Sequence, residues 1–322
     1  MGVKARRTLS AIITLSCDGK CRHCYINSQP TGEAPELSPG IWQGVLENFH
    51  SMGGEEFCVH GGEPLLYDGS GELIKYAHDI GLRTSMITNG IHLNHELNEI
   101  LSACSTYVLV SLDGPAENYE YIRQVDKLDI VINNMDRLLK MGVQVHPIHM
   151  VHKLNVRDLK WIVDFCLSRS IPVVTLSPIV PLGRAEYLGE LLLSPDELSI
   201  FIGSLNELNQ SHHGRVKFVT QSIYRPEDES MYLADEEKLK SYDEDYYFAL
   251  NDGKLTADFD LPDPRDFILG DAFHLGELDK QAYMRYRSML DGAFLRGLTE
   301  LRAGRAINWY EVVRSEAPEP VN

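Results

Sequence analysis

Through about its first 180 residues, the chain alternates short strand-like segments with longer helix-like segments, and this alternation limits the fold more than any other feature. Six consecutive βα units predict a parallel sheet joined by right-handed crossovers. A closed eight-unit barrel usually needs about 250 residues. We therefore expect an α/β fold, a partial (β/α)6 TIM-like barrel followed by a small α+β extension. The predicted strands are 7–16, 56–60, 83–88, 107–111, 143–151 and 173–180, and the predicted helices begin at 39 and cover 71–79, 94–103, 128–140 and 157–168.

The βα alternation stops after residue 184. Beyond it, residues 195–209 predict a helix, residues 246–256 predict a hairpin with an Asp-Gly turn, and residues 279–314 are mostly helical in pattern. The final Glu-Ala-Pro-Glu-Pro sequence is typical of a disordered tail. We expect three parts: a barrel core at 1–190, an extension at 191–315 and a tail at 316–322.

Three of the six cysteines, Cys17, Cys21 and Cys24, fall within eight residues directly after the first predicted strand. Neither a straight helix nor a strand turns all three to one centre, so they belong to a loop. Thiolates select iron–sulfur clusters, zinc or copper(I). Three cysteines on a 4Fe–4S cluster would leave one iron open, which favours catalysis. A non-catalytic zinc site with His23 or His60 as the fourth ligand is the alternative.

The Cys-x3-Cys-x2-Cys spacing, with Tyr25 after the third cysteine, resembles the signature of the radical SAM enzymes. The resemblance implies that Cys17, Cys21 and Cys24 hold one 4Fe–4S cluster, whose open iron binds the amino and carboxylate groups of S-adenosylmethionine. An electron from the cluster then cleaves this cofactor to methionine and a 5′-deoxyadenosyl radical. The radical removes a hydrogen atom from the substrate.

Further motifs that resemble this family follow the later strands, where the active sites of parallel α/β sheets lie. The segment Gly61–Pro64 resembles the GGEP motif that binds the methionyl amino group, with Glu63 as a hydrogen-bond acceptor. Arg123 suits pairing with the cofactor carboxylate, and a surface arginine is the alternative. For Asn89 and Asp113, turn capping is the alternative. The implied cofactor-binding residues are Tyr25, Gly61, Gly62, Glu63, Pro64, Asn89, Ser111, Asp113, Arg123 and Asn155.

Two residues of the second predicted strand, Cys58 and His60, are the candidate catalytic residues. A thiol at Cys58 would be able to return a hydrogen atom to a substrate radical, as in radical epimerases, and packing is the alternative. His60 is a candidate substrate contact or a hydrogen-bonded structural histidine. Cys104 and Cys166 lie in helical patterns and are expected to be buried.

The C-terminal pattern resembles the SPASM and Twitch extensions, in which a hairpin is followed by cysteines that bind auxiliary clusters. Here Leu255–Asp258 stands at that place, and no cysteine follows Cys166. We expect a degenerate extension that keeps the hairpin, and one 4Fe–4S cluster in the whole chain.

The net charge of −17 argues against a nucleic-acid partner, which requires a basic surface. Residues 227–271 hold fifteen acidic and four basic residues, and so contribute −11 of this charge. A solvated acidic loop and attraction of a cationic substrate are the two interpretations. The tyrosines of this segment, Tyr242, Tyr246 and Tyr247, would pack in the core or on a substrate.

Membrane spans and secretory signals are absent from the hydropathy pattern, so we expect a cytoplasmic protein without a membrane partner. The short segment before the first strand and the missing auxiliary cysteines favour a small-molecule substrate, such as a sugar or nucleoside of a natural product. Peptide modification, for example epimerisation or cross-linking in the maturation of a peptide natural product, is the alternative. An electron donor such as flavodoxin or ferredoxin is the expected protein partner.

Overall fold

The computed structural model describes residues 7–316 except 31, 33–34, 221–222, 231, 234–245, 259–260, 262 and 276. The predicted tail after residue 316 therefore lies outside the described residues. The same is true of Tyr242 and of seven of the fifteen acidic residues at 227–271.

Seven parallel strands form most of one ten-stranded sheet, and each pairs with its neighbour in the chain. The predicted parallel α/β sheet is confirmed. The seventh strand was not predicted, because three residues are too few to show an alternating pattern. The strands are β1 (Thr8–Thr14), β2 (Glu56–Gly61), β3 (Arg83–Thr88), β4 (Tyr107–Ser111), β5 (Val145–Val151), β6 (Val173–Pro178) and β7 (Lys217–Val219).

Helices connect these strands and cover one face of the sheet. The first helix begins at Pro39 directly after Ser38, as predicted. The helix that ends at Arg123 was not predicted, since its polar sequence carries a weak apolar period. The helices are α1 (Pro39–Ser51), α2 (Ser70–Asp79), α3 (His95–Ala103), α4 (Ala116–Arg123), α5 (Leu128–Lys140), α6 (Lys160–Ser168) and α7 (Pro195–Ser211).

The predicted hairpin is present and extends the barrel sheet. The hairpin consists of β9 (Tyr246–Ala249) and β10 (Lys254–Thr256). A separate short strand, β8 (Ile223–Tyr224), comes before it in the chain. β9 pairs in parallel with β1, and β10 pairs antiparallel with both β9 and β11 (Ile268–Asp271). The extension therefore continues the same sheet on the free side of β1. The division of the chain at residue 190 stays a prediction.

The C-terminal helices form a second, smaller apolar cluster. It comprises α8 (Lys280–Arg302), β12 (Ile307–Asn308) and α9 (Trp309–Glu316), with β12 pairing antiparallel with β8. Tyr232 is buried at its centre and donates a hydrogen bond to the Phe294 carbonyl at 3.2 Å. The predicted helical character of this region is confirmed. In the part of the chain that the structure describes, no helix combines the length and the apolar character needed to cross a bilayer.

Alternation along the strands separates the apolar core from the inner face of the sheet. In β2, Phe57 and Val59 are fully buried in the core that the helices share. Cys58 and His60 alternate with them and therefore point to the opposite, inner face. Both candidate catalytic side chains thus lie on the face away from the helices.

Adding a methyl group at Gly297 tests the packing of the C-terminal cluster. A Cβ there would lie 2.1 Å from the Tyr232 hydroxyl oxygen, whereas a Cβ at Gly203 in α7 would meet no atom within 4 Å. We expect Gly297→Ala to lower the free energy of unfolding by about 1–3 kcal/mol through overpacking. Gly203→Ala, the matched control, should raise it by roughly 0.5–1 kcal/mol. Chemical denaturation measures both, and equal effects would contradict the described packing.

Candidate active site

The three clustered cysteines lie in one loop at the carboxyl end of β1. The base of this loop is closed by backbone hydrogen bonds from Cys17 N to Gln29 O at 2.8 Å and from Gln29 N to Leu15 O at 2.7 Å. Because the chain leaves and returns at the same edge, residues 17–29 form a compact unit that holds all three thiols. We call residues 17–29 the cysteine loop.

Each of the three sulfurs faces a nitrogen donor. Gly19 N donates to Cys17 Sγ at 3.3 Å, and Ser28 N donates to Cys24 Sγ at 3.4 Å. A guanidinium nitrogen of Arg123 lies 3.9 Å from Cys21 Sγ. Hydrogen bonds to cysteine sulfurs are among the contacts that set the potential of iron–sulfur clusters. The donor set therefore suits thiolates that carry a negative charge.

The loop also leaves room beside its sulfurs. A Cβ at Gly19 would lie 3.4 Å from Cys21 Sγ and 3.5 Å from Cys17 Sγ, so the missing side chain opens space between these two thiols. Burial raises the pKa of Cys17 to about 11. A bound metal must therefore displace the thiol proton.

A single zinc ion, the alternative that the sequence left open, needs several ligand atoms within about 2.0–2.3 Å of one point. Across the described ranges of the chain, no three His, Cys, Asp or Glu side chains are grouped in that way. His60 Nε2 instead lies 2.9 Å from Ser10 Oγ. A cluster distributes its cysteine ligands over separate irons, so the cysteine loop fits a cluster better than one ion.

Arg184, which follows the carboxyl end of β6, holds the cysteine loop. It lies in a short 3₁₀ helix, Gly183–Tyr187, after β6. Its guanidinium donates to Cys21 O at 2.9 Å, to Ser28 O at 2.9 Å and to Ser28 Oγ at 3.1 Å, and its backbone N donates to Cys24 O at 2.9 Å. No function for Arg184 was predicted from the sequence. Only the fold brings residues more than 150 positions apart into contact.

Glu63 ties the ends of β2 and β3 together. The side chain is fully buried and accepts hydrogen bonds from Leu65 N at 3.1 Å, Thr88 Oγ1 at 2.7 Å and Asn89 N at 2.6 Å. Burial raises its pKa to about 7, although these donors act in the opposite direction. Pro64 is buried directly after it. The predicted acceptor is therefore already the centre of a hydrogen-bond network within the chain.

The two glycines before Glu63 pass close to the strand that enters the cysteine loop. Gly61 has a positive φ of 146°, and its Cβ would lie 2.2 Å from Thr14 O. At Gly62 a Cβ would lie 2.3 Å from Ser16 O. Both positions therefore need glycine for the close approach of two backbones, whether or not a cofactor also lies nearby.

Asn89 links the end of β3 to the cysteine loop. Its side-chain oxygen accepts from Ile91 N at 2.9 Å, which is the turn-capping contact expected as the alternative to cofactor binding. Its side-chain nitrogen donates to Asp18 Oδ1 at 3.0 Å, and His92 Nε2 lies 2.8 Å from the other oxygen of Asp18. The turn after β3 is therefore positioned against the loop between Cys17 and Gly19.

Asp113 and Arg123 form a buried ion pair beside Cys21. Arg123 Nε donates to Asp113 Oδ2 at 2.5 Å, and Met150 N donates to Asp113 Oδ1 at 2.6 Å. Burial by itself would raise the pKa of Asp113, but the charge of Arg123, the neighbouring His23 and His149 and the hydrogen bond from Met150 N together outweigh it and lower the value to about 2. Arg123 itself is buried, with 7% of its surface exposed, so the surface-arginine alternative is wrong. Asp113 lies behind Arg123, where it positions the guanidinium.

The remaining predicted cofactor residues differ in their contacts with the rest of the chain. Asn155 closes the turn after β5, since its oxygen accepts from His152 N at 2.8 Å and its nitrogen donates to Met150 O at 2.9 Å. Ser111 is half-buried at the end of β4. Tyr25 packs against an apolar cluster that includes Leu250 of the hairpin.

His23 is a further buried group beside the cysteines. Burial, and then the charge of Arg123, lower its pKa to about 3, so the ring is neutral. Its Nδ1 atom is buried without a hydrogen-bond partner among the described residues. Buried polar atoms are rarely left unpaired, so this nitrogen suits a bound group or water. Sequence reasoning treated His23 as a zinc ligand only.

The candidate catalytic pair lies on the inner face of the sheet. Burial lowers the pKa of His60 to about 4, so its imidazole is neutral. Burial raises the pKa of Cys58, whose thiol lies between Ser85 and Ser10. His60 Nε2 is hydrogen-bonded to Ser10 Oγ at 2.9 Å, which is the contact expected of a structural histidine. Cys104 and Cys166 are buried, as predicted.

Replacing the acidic partner of the buried ion pair tests how much the pair contributes to the free energy of unfolding. Asp113→Asn leaves Arg123 buried without its counter-charge, and we expect a loss of about 3–5 kcal/mol in the free energy of unfolding. The pair's contribution is fully present above the ordinary pKa of Asp113, 3.8, and is lost as the pH falls toward 2. Urea unfolding across this pH range measures both effects.

A surface pair supplies the control for this substitution. Asp136 pairs with Arg169 at 2.7 Å, and their side chains are 32% and 27% exposed. Asp136→Asn should cost about 0–1 kcal/mol. Similar losses of unfolding free energy in the two variants would contradict a larger contribution from the buried pair.

The sequence and fold match known radical SAM proteins. Residues 11–166 match the radical SAM superfamily. The chain is 29% identical over 187 residues to the Fe-coproporphyrin III synthase of Methanosarcina barkeri, covering 58% of this chain and 47% of that protein. It is 26% identical over 161 residues to the PqqA peptide cyclase of Bradyrhizobium diazoefficiens, covering 48% of this chain and 42% of that protein. The chain thus spans about half the length of the curated relatives it matches.

A solved structure supports the fold beyond this domain. Streptococcus suis SuiB, bound to its precursor peptide SuiA, aligns with a TM-score of 0.70 at 17% identity over 89% of this chain and 67% of that one. At this identity, the likeness concerns the fold alone. Radical SAM proteins of this kind have a partial TIM barrel and use a 4Fe–4S cluster with S-adenosylmethionine. With its cysteine loop and its parallel βα units, the segment at residues 11–166 is a radical SAM superfamily domain.

Proposed function

We propose that the protein reductively cleaves S-adenosylmethionine at a 4Fe–4S cluster held by Cys17, Cys21 and Cys24, and that the resulting 5′-deoxyadenosyl radical removes a hydrogen atom from an organic substrate. The observation that supports this most is the cysteine loop, in which each of the three sulfurs faces a nitrogen donor within the radical SAM domain. A one-electron donor of the flavodoxin or ferredoxin class supplies the electron.

The carboxylate and ammonium of the cofactor each have a matching group in the chain. Arg123 commits Nε to Asp113 and directs one terminal nitrogen at Cys21 Sγ, so its other terminal nitrogen is the one proposed to pair with the cofactor carboxylate. Glu63 accepts three hydrogen bonds and has about four acceptor positions, which leaves one for the methionyl ammonium. A cation at that position would also favour the ionised form of a carboxyl whose pKa burial has raised to about 7.

The inner face of the sheet is the proposed location of the substrate. Cys58 and His60 lie there, one strand away from the strand that leads into the cysteine loop. His60 remains the candidate substrate contact, and Cys58 remains the candidate hydrogen-atom donor. The protein's contribution is to hold the reacting groups in place and exclude water, while the radical chemistry belongs to the cofactors.

A peptide is the substrate class that we propose. The relative PqqA peptide cyclase acts on a peptide, and neither curated relative named above is a sugar or nucleoside enzyme. The earlier preference for a sugar or nucleoside therefore has no support from these relatives. Attraction of a cationic substrate is also weakened, because several described carboxylates of the acidic segment pair with the chain's own arginines. These pairs are Glu227 and Asp228 with Arg225, Glu229 with Arg302, and Asp252 with Arg265.

The iron content tests the single-cluster proposal. Anaerobically reconstituted protein should hold about four irons per chain and be brown. Alanine at Cys17, Cys21 or Cys24 should abolish iron binding because three thiolates are needed. Cys166→Ala is the matched control, since this buried thiol lies in α6 and should leave the iron content unchanged. About eight irons per chain, or half of the iron retained in the triple alanine variant, would contradict the proposal.

Deuterium transfer tests the substrate class. The reduced protein is incubated with S-adenosylmethionine and with a peptide or a nucleoside deuterated at carbon, and the released 5′-deoxyadenosine is analysed by mass spectrometry. We expect deuterium in 5′-deoxyadenosine from peptide substrates. Transfer from nucleosides or sugars alone would overturn the peptide proposal but leave the radical SAM activity intact, whereas absence of any S-adenosylmethionine cleavage would overturn both.

A further inference from the structure

Ser28 lies between Arg184 and the third cysteine of the loop. Its hydroxyl oxygen is 3.1 Å from Arg184 Nη2 and 3.4 Å from Cys24 Sγ. Its backbone N also donates to Cys24 Sγ at 3.4 Å. One serine therefore offers two contacts to the same sulfur, and its side chain links that sulfur to a guanidinium.

The direction of these hydrogen bonds follows from the chemistry of arginine. A guanidinium has five donors and no acceptor, so Ser28 Oγ must accept from Arg184. Its single hydrogen is then free to point at Cys24 Sγ. When Cys24 is a thiolate, the chain of donors runs from Arg184 to Ser28 to the sulfur, and the positive charge polarises the hydroxyl that donates.

The place of Arg184 is fixed by the backbone around it. Gly183 has a φ of +56°, and a Cβ there would lie 2.5 Å from Cys24 O and from Tyr25 O. Three acceptors of the cysteine loop, on Cys21 and Ser28, bind the guanidinium at 2.9–3.1 Å. The segment after β6 thus packs directly on the cysteine loop, and Arg184 has little freedom to bind elsewhere.

We propose that Arg184 and Ser28 are positioning residues that clamp the cysteine loop and raise the reduction potential of the cluster through Cys24. This inference rests on the proposed function, because it requires a cluster on Cys17, Cys21 and Cys24. One electron from the donor adds one negative charge to the cluster and its ligands. Hydrogen bonds to a ligand sulfur stabilise that charge, so they make the reduction easier.

The three cysteines are not equivalent in this respect. Cys17 has a neutral backbone donor at 3.3 Å, and Cys21 has the guanidinium of Arg123 at the longer distance of 3.9 Å. As a thiolate, Cys24 would have two donors from Ser28, the backbone N and the hydroxyl, and the hydroxyl is backed by the charge of Arg184. Cys24 is therefore the ligand at which a single hydroxyl deletion should act on the potential with the least change in packing.

The test compares Ser28→Ala and Ser28→Thr with the wild type, all anaerobically reconstituted. The midpoint potential of the cluster is measured by electron paramagnetic resonance during titration with dithionite, without S-adenosylmethionine. We expect Ser28→Ala to shift the midpoint to a more negative potential, while Ser28→Thr, which keeps the hydroxyl, stays near the wild type. Ser199→Ala in α7 is the control, since its hydroxyl bonds the Pro195 carbonyl far along the chain from the cysteines.

The clamp is tested separately by the rate of iron release to a chelator. Arg184→Lys keeps the charge but not the planar fork that reaches three acceptors, so it should release iron several-fold faster than the wild type. Arg169→Lys, which changes a surface guanidinium with two contacts to Asp136, is the matched control and should not. If Arg184→Lys fails to fold, the Ser28 variants still decide the proposal.

The outcomes separate this inference from the proposed function. An unchanged midpoint in Ser28→Ala, or a shift of the same size in Ser28→Thr, would overturn the inference while the iron content and S-adenosylmethionine cleavage stand. A wild-type iron-release rate in folded Arg184→Lys would overturn the clamp. A wild-type protein that binds no 4Fe–4S cluster would overturn the proposed function itself.

Discussion

The peptide groups of the cysteine loop must find hydrogen-bond partners, and the rest of the site depends on how they do so. A loop that presents three thiols cannot satisfy its own carbonyls by helix or sheet pairing. The Arg184 guanidinium supplies two of the missing donors, to Cys21 O and Ser28 O, and its backbone N supplies a third, to Cys24 O. Because β1 and β6 lie far apart in the sheet order, this contact requires a curved sheet. The barrel and the loop geometry therefore depend on each other.

Two buried carboxylates tie adjacent strand ends in the same way. Glu63, after β2, accepts from Asn89 N at the end of β3, and Asp113, after β4, accepts from Met150 N in β5. Their pKa values nevertheless move in opposite directions, to about 7 and about 2, because only Asp113 has a guanidinium beside it. The same motif residues thus align the strands and set the charge around the proposed cofactor site. A cationic ammonium near Glu63 would supply the neighbouring positive charge that Arg123 supplies for Asp113.

The sequence was sufficient for those features whose signal is local. Strand positions, the Asp-Gly hairpin and the clustering of Cys17, Cys21 and Cys24 all follow from short-range patterns. β7 and α4 were missed because one is too short and the other too polar for its period to stand out. The partners of Arg184 and the burial of Arg123 were also missed, since they depend on residues brought together by the barrel. A clue existed for Arg123 in the nearby Asp113, but spacing alone does not distinguish a buried pair from two solvated charges.

The hairpin of the extension has a structural use that needs no metal. β9 pairs in parallel with β1, so it covers the edge of the strand that leads directly into the cysteine loop. An uncovered edge there would leave the backbone of β1 open to pairing with other chains. Residues of the hairpin also pack against Tyr25 in the apolar cluster beside that loop, with Leu250 at its centre. The absence of cysteines after Cys166 is therefore compatible with retention of the hairpin, because edge pairing and apolar packing hold it against the barrel.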